Sequence, residues 1–170
     1  MRLYANKVTT IVDAVARALV ESGDLEVTDR EEFKTDVESV LKEYRRKDRE
    51  LTERAKDALE QRGLAYSELF RTKRTMAEAD DFGIGDDAVQ WITSQLLELF
   101  MQSHHVAEIY ADDATIRRKL RDVLKRHMQA DEDVDREVRR HLKHLQENTE
   151  AFEIEYQKQL ELVKRKHGLE

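Results

Sequence analysis

Phe33-Lys34-Thr35-Asp36-Val37-Glu38-Ser39-Val40-Leu41-Lys42-Glu43-Tyr44 sets apolar side chains at 33, 37, 40, 41 and 44, steps of three and four that line one face of a helix. The stripe continues through Leu51, Ala55, Ala58 and Leu59 and stops at Gly63. Thr28-Asp29-Arg30-Glu31 precedes it as a capping box, the Thr28 hydroxyl and Glu31 carboxylate being expected to satisfy the first free N–H groups. Unbroken, residues 29–62 make a rod of about 50 Å at about 1.5 Å per residue. Arg45 to Glu50 holds no apolar residue, so a bend is expected there if anywhere.

On either side lie two shorter helices. Upstream, Val8, Ile11, Val12, Val15, Ala16, Leu19 and Val20 form a stripe that ends near Gly23, a residue suited to the left-handed turn after a helix. Downstream, Tyr66, Leu69, Phe70, Met76 and Ala77 mark a third helix, closed by the loop Asp80-Asp81-Phe82-Gly83-Ile84-Gly85. Then the order returns. Val89, Ile92, Leu96, Leu97, Phe100 and Met101 fall 81 residues after Val8, Ile11, Val15, Ala16, Leu19 and Val20 (89 − 8 = 81). Ile116, Leu120, Val123, Leu124, His127, Val134, Val138 and Leu142 fall 83 after Phe33, Val37, Val40, Leu41, Tyr44, Leu51, Ala55 and Leu59 (116 − 33 = 83). Phe152, Tyr156, Leu160 and Val163 supply a second third helix, and His167-Gly168-Leu169 echoes Phe82-Gly83-Ile84.

The expectation is therefore an all-α chain of two tandem, pseudo-symmetric three-helix units, 1–84 and 85–170, packed as one elongated domain. Whether the long helix of the second unit is continuous through Ala130 to Asp133 is left open by the sequence. Leu25-Glu26-Val27 and Val106-Ala107-Glu108-Ile109-Tyr110 partly alternate and occupy the same place in each unit, so a short strand pairing between the units is expected.

Composition agrees. In 170 residues there is no proline and only five glycines, while charged and hydrophobic residues each make up 39% and the mean hydropathy is −0.78, as in long solvent-facing helices. The absence of cysteine rules out thiol catalysis, thiolate-bound metal and disulfides. The N-terminus lacks the apolar segment of a signal peptide and no apolar run approaches the roughly 20 residues that span a bilayer, which points to the cytoplasm and away from membranes. Net charge is −7 and is shared: residues 1–86 carry 16 Lys and Arg against 20 Asp and Glu, residues 87–170 carry 14 against 17. Global electrostatics gives no reason to expect a nucleic-acid partner.

Met1-Arg2-Leu3, Glu38-Ser39-Val40-Leu41-Lys42-Glu43-Tyr44, Tyr66-Ser67-Glu68-Leu69 and Phe152-Glu153-Ile154-Glu155-Tyr156 together resemble the bacterial family catalogued as domain of unknown function 507, in the form of a two-copy member. The resemblance covers essentially the whole chain and supports the fold. It brings no activity, cofactor or catalytic residue.

Several polar groups invite a chemical reading. His104-His105 with Glu108, followed by Asp112-Asp113, is the densest set of potential metal ligands. If the backbone there is helical, His104 and Glu108 are four apart on one face. The place is also a helix end, where His suits the dipole and Asp112 or Asp113 suits an N-cap, so packing explains the set more economically than a metal. Glu137, His141 and His144 share a helical face, yet a di-iron bundle needs the Glu-x-x-His motif twice. Gly83-Ile84-Gly85 lacks the third glycine and the preceding strand of a dinucleotide loop and reads as a linker, with Asp86 capping the next helix.

Basic residues cluster on both long helices. Lys42, Arg45, Arg46, Lys47 and Arg49 lie on the first, Arg117, Arg118, Lys119, Arg121, Lys125 and Arg126 on the second. The spacings Glu38–Lys42, Glu43–Lys47 and Asp122–Arg126 are those of ordinary ion pairs on a solvated helix. Trp91 falls beside the Ile92 and Leu96 stripe rather than on it, the position of an interface anchor. The chain thus reads first as a non-enzymatic interaction or scaffold protein without a cofactor, with a protein partner or a second copy of itself. The alternatives are an RNA- or ribosome-associated factor using Lys42, Arg45, Arg46, Arg121, Lys125 and Arg126, and a metal-dependent enzyme built on His104, His105 and Glu108.

Overall fold

A computed structural model of the chain describes residues 2–146 and 149–168; Met1 and Leu169 of the motifs above lie outside the described residues. Helix α1, Val8–Ala16, buries Val8, Ile11, Val12, Val15 and Ala16, and runs on as a π turn over Arg17–Glu21 that buries Leu19. Gly23 ends it at φ +82°, a conformation costly for a residue with a Cβ. Strand β1, Leu25–Val27, leads into α2, Arg30–Arg62.

The cap of α2 differs from the expected box by one residue. Asp29, not Thr28, is the N-cap, its carboxylate accepting the N–H groups of Glu31 and Glu32 at 3.1 Å each. A carboxylate is the stronger acceptor at the positive end of a helix. Thr28 is taken up by the sheet, where its N–H donates to the His105 carbonyl at 2.9 Å. Gly63 closes α2 at φ +64°. The helix runs unbroken through the apolar-free stretch, where charge braces it: Arg46 bonds Glu43 at 2.8 Å and Glu50 at 2.7 Å, and Lys73 reaches Asp48 at 2.6 Å.

Helix α3, Leu69–Ala79, packs on the second part of α2. The second half then passes through the same order: α4 (Ala88–Gln102), β2 (Val106–Ile109), α5 (Asp113–Met128), α6 (Ala130–Arg140) and α7 (Glu150–Lys166). Asp112 caps α5 from the Thr115 N–H at 3.0 Å, 83 residues after Asp29. Asp86 does not cap α4; Asp87 stands at that position and its side chain makes no cap bond. Where α2 has Arg46 between its two acids, the matching residue is the uncharged Gln129, and there α5 gives way to α6.

β1 and β2 pair antiparallel, Leu25 opposite Ile109, Glu26 opposite Glu108 and Val27 opposite Val106, with a bulge between Glu26 and Val27. The offset between the halves grows from 81 to 83 across this connector, and a bulge is where one strand takes up an additional residue. Around the ribbon the helices interlock: α1 packs on α2 and α5, and α4 on α5 and α2. Phe33 of α2 stacks on Phe100 of α4 at 5.5 Å. One core therefore draws on both halves, from Leu3 to Met128, while α6 and α7 enclose a second, smaller cluster of Val134, Val138, Leu142, Phe152 and Val163, joined by Tyr4.

The ends of the halves close on each other. Gly83 presses against the start of α4, where an added Cβ would stand 2.4 Å from the Asp87 carbonyl oxygen and 2.7 Å from the Trp91 Cβ. At the other end the Asn6 side chain donates to the Gly168 carbonyl, and Asn6 precedes Asp87 by 81 residues.

Candidate functional site

Strand formation takes apart the imidazole and carboxylate group. Since 106–109 is extended, His104 and Glu108 are not four apart on a helical face; Glu108 lies opposite Glu26 in the ladder. His105 Nε2 is 4.0 Å from Glu32, and its backbone serves Thr28. Glu137 turns to α7 rather than to His141 and His144: Lys166 Nζ donates to it at 2.8 Å and His167 Nε2 at 2.7 Å. These two bonds hold the Glu137 carboxyl down at about 2, against a small opposing effect of desolvation. Among the described residues no three His, Asp or Glu side chains come together as a ligand set.

Trp91 is half-buried and tied to its own chain. Its indole N–H donates to the Asp81 carbonyl at 3.1 Å, and its ring lies 4.9 Å from Phe82 and 5.6 Å from Tyr44, with Lys47 Nζ 5.3 Å from the ring centre. Asp81, at φ +54°, is the one non-glycine described in the left-handed region. The Tyr44 hydroxyl donates to the Gly83 carbonyl at 3.0 Å, and burial raises its pKa, helped by Asp48. Trp91 also forms a wall of an open groove of about 240 Å³ between α2 and α4, with Val40 and Leu99 as its apolar neighbours and Asp36 and Glu43 at the edge.

The two basic clusters part company. In the first half Lys42 is paired with Glu38 at 2.9 Å and Arg46 is held by two acids, which raise its pKa and lower that of Glu43. Arg45 is half-buried, its Nε–H donating to the Leu3 carbonyl at 3.3 Å; burial lowers its pKa, and the positive charges of Arg49 and Arg2 add to this. In the second half Arg121, Lys125 and Arg126 are exposed and make no ion pair among the described residues. The Asp122–Arg126 spacing does not yield a bond.

The second part of α2 packed with α3, and α6 packed with α7, are the two arms of the molecule, and stripe periodicity missed an apolar surface at their ends. Leu64, Tyr66 and Phe70, at the turn between α2 and α3, are 44%, 41% and 59% exposed, and Ile154 and Leu162 of α7 are 50% and 55% exposed. Phe70 was expected to share the inward face of its helix with Ala77. Tyr66, Glu153, Ile154, Gln157 and Lys158 line an open hollow of about 380 Å³. Glu153 lies at its edge, its carboxyl pushed up by burial, with Arg139 acting against that. The sequence signal was the spacing of Ile154 and Leu162 on α7, which lie off the Phe152, Tyr156 and Val163 face.

Among the described residues no helix is long and apolar enough to cross a membrane. No curated protein matches the sequence. A family model described as "Protein of unknown function (DUF507)" matches residues 1–169, all but one residue of the chain, along which its helices and ribbon are laid out. The chain belongs to the DUF507 family.

Proposed function

We propose that this protein is a non-enzymatic interaction protein of the bacterial cytoplasm, built by internal duplication, which holds a protein partner at the ends of its two arms. The observation that carries this is the apolar hollow between Tyr66 and Ile154. Large exposed apolar side chains scattered singly mean little, but two that line one concavity, with Leu64 and Phe70 exposed at the same turn as Tyr66, mark a contact surface. Its volume suits one or two inserted aliphatic or aromatic side chains, which would meet Tyr66 and Ile154 between the polar side chains of Glu153, Gln157 and Lys158.

The test pairs wild-type chain with the double variant Tyr66→Ser and Ile154→Ser in cross-linking and affinity capture from the native cell. A protein captured by the wild type and lost with the variant is expected. Capture indifferent to the two substitutions, or no capture together with a monomer in sedimentation, would sink the proposal.

A further inference from the structure

Helix α5, Asp113–Met128, carries six Lys and Arg against two Asp, whereas the matching residues 30–45 of α2 carry four against five. The excess is not spent internally. Arg117 pairs with Asp113 at 2.7 Å and Lys119 with Asp24, but Arg118, Arg121, Lys125 and Arg126 are exposed and enter no ion pair among the described residues. Ile116, Leu120, Val123 and Leu124 point inward. Positions 118, 121 and 125 therefore form one outward stripe, about 10 Å long at about 1.5 Å per residue. That length corresponds to about three nucleotides of a strand at ~3.4 Å each.

Lys7, just before α1, and Arg17, just after it, stand near His127 on the side of α5 away from this stripe, where, after burial, their charges together with Arg126 lower the pKa of His127. Neither makes an ion pair among the described residues. Arg17 opens the π turn, a local widening of the helix often found where function is located. Asp122 is the acidic exception on the outward face of α5. No aromatic side chain stands on α5, so nothing here stacks on bases.

We propose that the outward face of α5 binds the phosphate backbone of a nucleic acid without reading its bases. Guanidinium groups suit this role because their planar donors match phosphate oxygens. The face lies apart from the arm ends, so this inference does not depend on the function proposed above.

The test is fluorescence anisotropy of the full chain with a labelled single-stranded RNA of about 20 nucleotides. Three phosphate contacts predict that affinity falls by about 20-fold between 50 and 200 mM salt. The variant Arg121→Glu, Lys125→Glu, Arg126→Glu is expected to lose at least about tenfold in affinity, while Lys42→Glu with Arg46→Glu stays within about twofold. Circular dichroism checks that both fold; should the triple variant not, Arg121→Gln with Arg126→Gln takes its place, with a smaller loss expected. No binding at 50 mM salt overturns the proposal, as does an equal loss in the two halves. Competition by polyglutamate as strong as by unlabelled RNA, charge for charge, would also overturn it, in favour of an acidic protein.

Discussion

The two long helices bury matching positions and expose opposite charge. Phe33, Val37, Leu41 and Tyr44 of α2 are as deeply buried as Ile116, Leu120 and Leu124 of α5, and each helix packs on both α1 and α4. Outside that shared seam Asp36, Glu38 and Glu43 stand where α5 has Lys119, Arg121 and Arg126. The arms repeat the inversion. Arg54 of α2 bonds Asp80 after α3 at 2.8 Å, and 83 residues on, Glu137 of α6 bonds Lys166 and His167 at the end of α7. Buried positions answer to packing, which changes of even one methylene disturb, whereas a solvated charge adds little stability and is free to change sign. The halves thus share a core and differ in what they offer to solvent.

The sharpest break between them is at the closing glycines. Gly83→Ala forces a Cβ against backbone at 2.4 Å, with the Trp91 Cβ on the other side, so α4 or the Phe82 loop must move. Gly168→Ala meets nothing within 4 Å and costs only the left-handed φ of +65°. Urea unfolding is expected to show a loss of about 1–3 kcal/mol for the first and about 1 kcal/mol for the second. Because Trp91 is the only tryptophan, its emission should shift in the Gly83 variant alone. Equal losses would mean that the tight closure is not specific to the first half.

A milder difference lies in the core itself. Thr93 of α4 is 1% exposed and its hydroxyl has no hydrogen-bond partner among the described residues, while Val12, 81 residues earlier, fills the matching position on α1. Thr93→Val keeps the shape and removes the unpaired polar group. Its urea midpoint should rise, for a gain of about 1 kcal/mol. A lower midpoint would show that the hydroxyl is bonded after all and that the halves differ there by design.

Apolar spacing made both long helices, their partners and the strand pairing legible, since burial is what spacing encodes. Capping was legible to within one residue: Thr28 and Asp29 are both good acceptors, and the choice fell to the sheet, which takes the Thr28 backbone. Spacing left the continuity of both long helices open at Arg45 to Glu50 and at Ala130 to Asp133; the first stretch is bridged by Arg46 and its acids, and at Gln129 α5 gives way to α6. Which cation finds an acid depends on rotamers and on neighbouring helices. Glu38–Lys42 forms and Asp122–Arg126 does not, at the same spacing. Trp91 lies beside its stripe, and the loop that packs on it arrives from Asp81 and Phe82, which periodicity does not describe. The pairing of His104 with Glu108 on one face was conditional on helix, and the ribbon makes that stretch strand.

The smallest expected effect separates the two arm bonds by their response to acid. Glu137 has its folded pKa depressed to about 2, from an ordinary 4.5, by its bonds to Lys166 and His167. A carboxyl depressed in this way adds its full stabilisation above the unfolded value and loses it as pH falls from about 4.5 toward about 2. In the first arm the matching residue is Arg54, whose pKa is raised by its bond to Asp80. Hydrogen exchange measured from pH 5 down to pH 2.5 should therefore show α6 and α7 loosening, and Glu137→Gln should remove that part of the pH dependence while leaving α2 and α3 as they were. Because the Glu137 bond is solvated, the change is modest, and its location is what matters. If both arms loosen together in wild type and variant alike, the inverted ion pairs are interchangeable decoration and only the core distinguishes how the halves respond.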